Sequence, residues 1–241
     1  MTEIARHRVG HHPSSDDAEV ESLYPFLYAD TSNIDAVLQE VRRSTVDKAN
    51  EIMALRRQVL AADGVRLTEC AKDMAERFAA GGRLLTFGNG GSSTDSQDMA
   101  SLFLSPGSGT PLPAFGLTND IAVVTALSND IGFDVVFSRQ VAAFGRAGDI
   151  AVGLSTSGNS ANLLRAFDEA ARRGLLTVGI AGYDGGKMAE LDSIDYLFVV
   201  NSASVHRIQE AQTTIYHALW ELTRDALALD PGNPQASSDA R

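Results

Sequence analysis

One stretch of this chain, residues 84–104, reads LLTFGNGGSSTDSQDMASLFL. A short apolar run, Leu84 to Phe87, stops at Gly88-Asn89-Gly90-Gly91-Ser92, and a helix-compatible segment starts behind Ser92 and Ser93. Glycines permit a tight turn and close approach of backbone to a ligand. Serine at a helix start leaves amides aimed at an anion. A strand, a glycine turn and a helix N-terminus form a phosphate-ready corner. The spacing is neither G-x-G-x-x-G nor a Walker loop, because no Gly-Lys-Ser/Thr follows.

The same alternation runs through the chain. Strand candidates stand at 84–87, 114–117, 150–154, 176–180 and 196–200, each bounded by Gly, Ser, Asn or Asp. Helical spacing covers about 32–62, 65–80, 93–103, 120–127, 133–145, 160–173, 187–191 and 204–228. Ile34, Val37, Leu38 and Val41 form the apolar stripe of the first helix. Strands alternating with helices predict an α/β fold, a doubly wound parallel sheet that binds ligands at the carboxyl ends of its strands.

The 241 residues, 44% hydrophobic, fit one sizeable domain. Expected boundaries are a mobile N-terminal arm at 1–30, a domain at 31–229 and a disordered tail at 230–241. His7, His11 and His12 fall in the arm and read as solvated. A formal charge of −11 argues against nucleic acid as a direct partner. It does not exclude an anionic substrate, since amides and hydroxyls can outweigh net charge locally. A protein partner stays open. The single cysteine, Cys70, rules out an internal disulfide and reads as a buried small hydrophobe. No apolar run spans a bilayer and no secretory signal core opens the chain, so the expected compartment is the cytoplasm, with no membrane partner.

A second loop, Ser155-Thr156-Ser157-Gly158-Asn159-Ser160, follows the run 150–154 directly. Hydroxyls and amides at a helix start bind phosphate without formal positive charge. In the last helix, at about 100° per residue, His206, Glu210, Thr213 and His217 share one face with Gln209 beside it. Ile208, Ile215, Leu219 and Leu222 form the opposing apolar stripe, which places His217 on a polar face.

These pieces, GNGGS, SND at 128–130, GRAGD at 145–149, STSGNS, GYDGG at 182–186 and RIQE at 207–210, resemble the SIS (sugar isomerase) domain. Within it the chain is similar to the phosphoheptose isomerase group, over about 35–227. The resemblance implies a five-stranded parallel sheet of the flavodoxin-like kind. N-terminal and C-terminal helices would pack between subunits of a homotetramer, or of a dimer. It implies a phosphorylated sugar as ligand. Ser155, Thr156, Ser157 and Ser160 become the phosphate cradle. Asn89, Gly90, Gly91 and Ser92 become the sugar loop, with Asp130 near the substrate. Gln209 and His217 take the family's substrate or zinc contacts, His217 also proton transfer.

Aldose–ketose isomerisation moves a proton between neighbouring carbons through an enediol and needs an acid and a base there. The phosphoheptose isomerases carry a histidine six residues after the loop serine and a glutamate ten after it. Here those positions are Asp98 and Leu102, the following segment 104–109 has no charge, and His206 replaces an aspartate. Three readings follow. One is a divergent isomerase of the sedoheptulose 7-phosphate class, with His217 and Asp98 catalytic and zinc an option on Asp98, Gln209 and His217. Another is a non-catalytic sugar-phosphate sensor or adaptor of the initiator-associating type. The third is a different reaction on the same scaffold, with Asp95 and Asp98 as spare carboxylates.

Overall fold

The computed structural model describes residues 34–107 and 109–229. They divide between two compact units, one through Asn50 and one from Glu51. The expected arm and tail, with His7, His11 and His12, lie outside the described residues.

Helix α1 spans Ile34–Ala79. Helical spacing in two segments, about 32–62 and 65–80, was expected here. One continuous helix forms because a single glycine costs only about 1 kcal/mol within a helix, and its flanks are tied. Arg66 pairs with Asp63 at 2.9 Å and Thr68 Oγ1 donates to the Gly64 carbonyl at 3.1 Å.

In the second unit, β1 (Leu84–Gly88), α2 (Gly91–Leu104), β2 (Ala114–Gly116), α3 (Ile121–Asp130), α4 (Val136–Phe144) and β3 (Ile150–Ser155) follow. Then come α5 (Ala161–Arg172), β4 (Leu176–Gly182), β5 (Tyr196–Val200) and α6 (Val205–Leu229). The expected helix at 187–191 is a short 3-10 turn, Gly186–Glu190, and Phe133–Val135 is another. Such short pieces cannot repay the nucleation of an α-helix.

All strand pairs are parallel, in the order β2-β1-β3-β4-β5. Alternate residues of each strand face opposite layers. On one face Leu84, Val152 and Leu154 pack with Met74, Phe103, Ile215 and Leu219. On the other, Leu85 and Phe87 pack with Phe137, Val141, Leu163 and Phe167. Gly153 is required between these layers, because a Cβ there would meet the rings of Phe87 and Phe167 at 2.6 Å. Helix α5 buries Leu163, Ala166, Phe167 and Ala170, the i, i+3, i+4, i+7 stripe of a core-facing helix. Cys70 is buried as expected, and burial raises its thiol pKa.

At the amino ends of the strands Arg83 and the largely buried Asp149 form an ion pair at 2.8 Å. Asp149 also accepts from the amides of Arg83 and Arg146. The GRAGD motif therefore pins the start of β3 to β1. The opposite, carboxyl edge is left for ligand.

Candidate functional site

In this strand order the chain reverses direction between β1 and β3, and open α/β sheets bind ligands in the crevice at that switch. Both sequence loops emerge there, Gly88–Ser92 from β1 and Ser155–Ser160 from β3. They are joined across the crevice. Asn89 Nδ2 donates to Asn162 Oδ1 and Asn162 Nδ2 donates to Asn89 Oδ1, each at 2.9 Å. Asn162 is 2% exposed, so this reciprocal amide pair fixes the spacing of the two loops.

Gly90 adopts φ 56° and caps α2 without a side chain. At Gly91 a Cβ would strike the Gln209 carboxamide, so glycine is what lets Gln209 reach the start of α2. Ser92 is buried, and Ser93 hydrogen-bonds Thr118 at 2.8 Å, a hydroxyl that also accepts from Gln97 at 3.0 Å.

In the second loop Ser155 Oγ accepts from the Gly158 amide at 3.1 Å and Ser157 Oγ accepts from the Asn159 amide at 3.2 Å. Ser160 precedes α5 but makes no side-chain cap. Its hydroxyl and the first amides of α5 can therefore turn to an anion. Thr156, Ser157 and Ser160 are half-buried at the mouth. The GYDGG loop buttresses them. The Lys187 amide donates to Asn159 Oδ1 at 3.0 Å, and the Met188 amide donates to the Gly158 carbonyl at 3.0 Å. Tyr183 holds φ 52° in that buttress, a left-handed conformation that costs a non-glycine residue strain.

Behind the Gly88–Ser92 loop, α2 packs on α6. Asp98 Oδ2 accepts from the Tyr216 hydroxyl at 2.7 Å and lies 3.8 Å from His217 Nε2. The His217 ring stands edge-on to Trp220, with centroids 6.4 Å apart. One turn nearer the loop, Asp95 is half-buried, and its Oδ2 is shielded from solvent without a hydrogen-bond partner. Burial, then the charge of Asp98, pushes its pKa up to about 6. A carboxyl poised there can give or take a proton near neutrality.

The sign of that shift gives a testable consequence. The folded chain holds the Asp95 proton to higher pH than the unfolded chain does, so this group costs stability above about pH 6 and less as pH falls. Asp95→Asn should stabilise the protein to urea at pH 8, with the gain shrinking towards pH 4. A gain independent of pH would contradict the assignment.

Of the other expected site residues, Gln209 sits at Gly91, not beside His217. Asp130 is exposed at the end of α3, where its Oδ1 accepts from Asn129 at 2.8 Å. Among the described residues, no hydrogen bond or ion pair ties Asp130 to either loop. His206 is exposed in the first turn of α6, and Leu102 is half-buried against the core cluster. Asn162, Thr118 and Tyr216 were not singled out from the sequence. Only their positions beside STSGNS, after β2 and next to His217 could have marked them.

Zinc takes three or four donors from protein. Asp98 and His217 bring two together, whereas Gln209 is eight residues before His217, about 12 Å along the helix. Among the described residues no group of three or more His, Cys, Asp or Glu could hold a metal ion. Of the expected zinc donors, the described residues bring Asp98 and His217 together, and Gln209 lies at Gly91.

An SIS domain matches residues 49–182. The phosphoheptose isomerase of Nitratidesulfovibrio vulgaris (strain Hildenborough) is 41% identical over 200 residues, covering 80% of this chain and 95% of the relative. The chain belongs to the SIS family, in its phosphoheptose isomerase group. The enzyme of that name from Rhodospirillum rubrum is 42% identical over 174 residues, covering 68% of this chain and 90% of the relative. Among solved structures, the phosphoheptose isomerase GmhA of Neisseria gonorrhoeae is similar at TM-score 0.69. It is 36% identical, with 76% of this chain and 99% of that one covered. The Francisella tularensis phosphoheptose isomerase has TM-score 0.69 at 29% identity, covering 81% and 100%. The five-stranded parallel sheet expected of an SIS protein is the one observed. An apolar cleft of about 490 Å³ between α3 and α4, lined by Val123, Leu127, Ile131 and Phe144, includes none of the SIS loop residues.

Proposed function

We propose that this SIS protein holds a heptulose phosphate across the two loops and interconverts its ketose and aldose forms, with sedoheptulose 7-phosphate as the substrate class. The observation that carries the reading is the Asp98–His217 pair, 3.8 Å apart on the helix that starts at the sugar loop and on the one that meets it. Phosphate would sit on Ser155, Thr156, Ser157 and Ser160. The hydroxylated chain would lie along Asn89–Ser92, with Gln209 at its edge and Asp130 as a substrate contact in the assembled form.

Carbons 1 and 2 would then reach the α2–α6 seam. His217, facing the Asp98 carboxylate, takes the proton from the hydroxyl-bearing carbon beside the carbonyl, and the carbonyl oxygen receives the proton of Asp95, the carboxyl whose pKa is pushed up to about 6. The His217 proton then goes to the former carbonyl carbon while the other enediol hydroxyl gives its proton back to Asp95, which leaves a carbonyl there and both groups as they began. The direct test is turnover of sedoheptulose 7-phosphate by the purified protein.

Leu102 favours a second reading, because a half-buried aliphatic side chain one turn beyond Asp98 can neither move a proton nor bind a polar group. In that reading the chain binds the sugar phosphate without turnover, as a sensor or a protein-binding adaptor. Turnover by the wild-type protein separates the two, and Leu102→Glu asks whether a missing carboxylate limits it. Positions 98 and 102 are i and i+4, so the new carboxylate would point along the face of Asp98. We expect kcat/KM to rise severalfold in an enzyme that lacks only this base. Unchanged kinetics would mean that Asp95 or Asp98 already supplies it.

Met53, Leu60 and Val65 expose 44%, 69% and 73% of their surfaces on α1, an apolar burden that self-association would cover. We expect light scattering to give four, or two, times the 25.6 kDa chain mass. A monomer at micromolar concentration would contradict this. Among the described residues no helix is long and apolar enough to cross a membrane. A phosphorylated sugar as substrate supports the reading of a cytoplasmic protein.

A further inference from the structure

Tyr216 precedes His217 in α6 and stacks on its ring, but it is buried where His217 is half-exposed. It is 2% exposed, and its ring belongs to the apolar cluster of α1, α2 and α6. A buried tyrosine needs a partner for its hydroxyl. Here that partner is Asp98 Oδ2, at 2.7 Å, the same oxygen that lies 3.8 Å from His217 Nε2. Among the described residues no other hydrogen bond reaches the Asp98 carboxylate.

Asp98 itself is half-exposed, with 53% of its side chain open to solvent. A short carboxylate on an exposed helix face samples several rotamers unless something holds it. The phenol is held by core packing, so its hydroxyl is a fixed point. Charge-assisted hydrogen bonds of this kind are short and roughly twice as strong as neutral ones.

We infer that Tyr216 is a positioning residue, whose hydroxyl locks the Asp98 carboxylate towards His217 and the reacting carbons. Its place in a reaction rests on the isomerase reading; its hold on Asp98 does not. Burial, followed by the bond to Asp98, raises the phenol pKa, so the hydroxyl remains a donor through the neutral range. Tyr216 acts through Asp98, and Leu102 offers no competing polar group on the next turn.

The test is Tyr216→Phe, which keeps the ring in the core and its stacking on His217, with centroids 5.1 Å apart, but removes the hydroxyl. With ¹³C-labelled histidine, the His217 ring signal is assigned by its loss in His217→Gln. It should move in Tyr216→Phe in the same direction as in Asp98→Ala. A His217 signal that stays at the wild-type position in Tyr216→Phe overturns the inference, whether or not Asp98→Ala moves it. In steady-state kinetics we expect kcat to fall about tenfold with KM within about twofold, the pattern of an interaction used in the transition state. Tyr216→Phe should cost nothing further in an Asp98→Ala background, since the two act as one unit. Additive losses overturn the inference. If the wild-type protein does not turn over substrate, the isomerase reading falls, and the NMR comparison alone still decides whether Tyr216 holds Asp98.

Discussion

Replacing His217 by alanine should lower turnover of sedoheptulose 7-phosphate by about 10²–10⁴-fold, the range a positioned proton-transfer group contributes. Ligand affinity should change far less. His217 lies on the α2–α6 seam with 41% of its side chain exposed, facing Asp98 and Trp220 and not buried in the core. The proposed phosphate cradle, Ser155–Ser160, belongs to a different loop, at the end of β3. Steady-state kinetics and calorimetric titration of the sugar phosphate separate the two contributions. His217→Gln serves as a second variant that retains a polar side chain of similar reach. Full turnover in both variants would remove His217 from the mechanism. Lost binding in both would make it a substrate anchor instead.

Gly158→Val should abolish phosphate binding and destabilise the fold. Gly158 sits at φ 65°, a conformation that β-branched side chains scarcely adopt and that costs a non-glycine residue about 1–2 kcal/mol. The larger effect is steric. A Cβ at this position would run into the Gly185 carbonyl, and the Gly186 nitrogen lies 3.1 Å away, both of them backbone atoms of the buttress loop. Neither can swing aside like a side chain. The loop would have to move away from Gly185, breaking the bond from the Met188 amide to the Gly158 carbonyl. Thermal melting should show a clear drop, and calorimetry should show sugar-phosphate affinity falling by more than tenfold. A variant with wild-type affinity would mean that the cradle tolerates rearrangement and that phosphate binds elsewhere.

Much of this architecture was legible because its signals are local. Each strand is a short apolar run halted by small or polar residues. The two loops announce themselves as Gly-rich and Ser-rich turns before helices. Where the reading failed, the cause was long-range or cumulative. The helical spacing divides at 63–64, but the cost of Gly64 is spread over a helix of 46 residues and offset by Asp63–Arg66 and Thr68. The site's cross-links were invisible for the same reason. Asn89 and Asn162 are 73 positions apart, and Asp98 and Tyr216 are 118 apart. Nothing in either segment alone identifies its partner. Gln209 and His217 share a helix, yet the axial rise between them carries Gln209 to the loop at Gly91 and leaves His217 with Asp98.

The most direct test of the account is proton exchange on the bound sugar. Sedoheptulose 7-phosphate incubated with the protein in D₂O and followed by proton NMR should lose signal at the carbon that exchanges through the enediol, while the aldose phosphate accumulates. His217→Ala should suppress both changes. Saturating binding by calorimetry with neither exchange nor aldose formation, with or without added zinc, would contradict the isomerase account and leave a sugar-phosphate-binding protein.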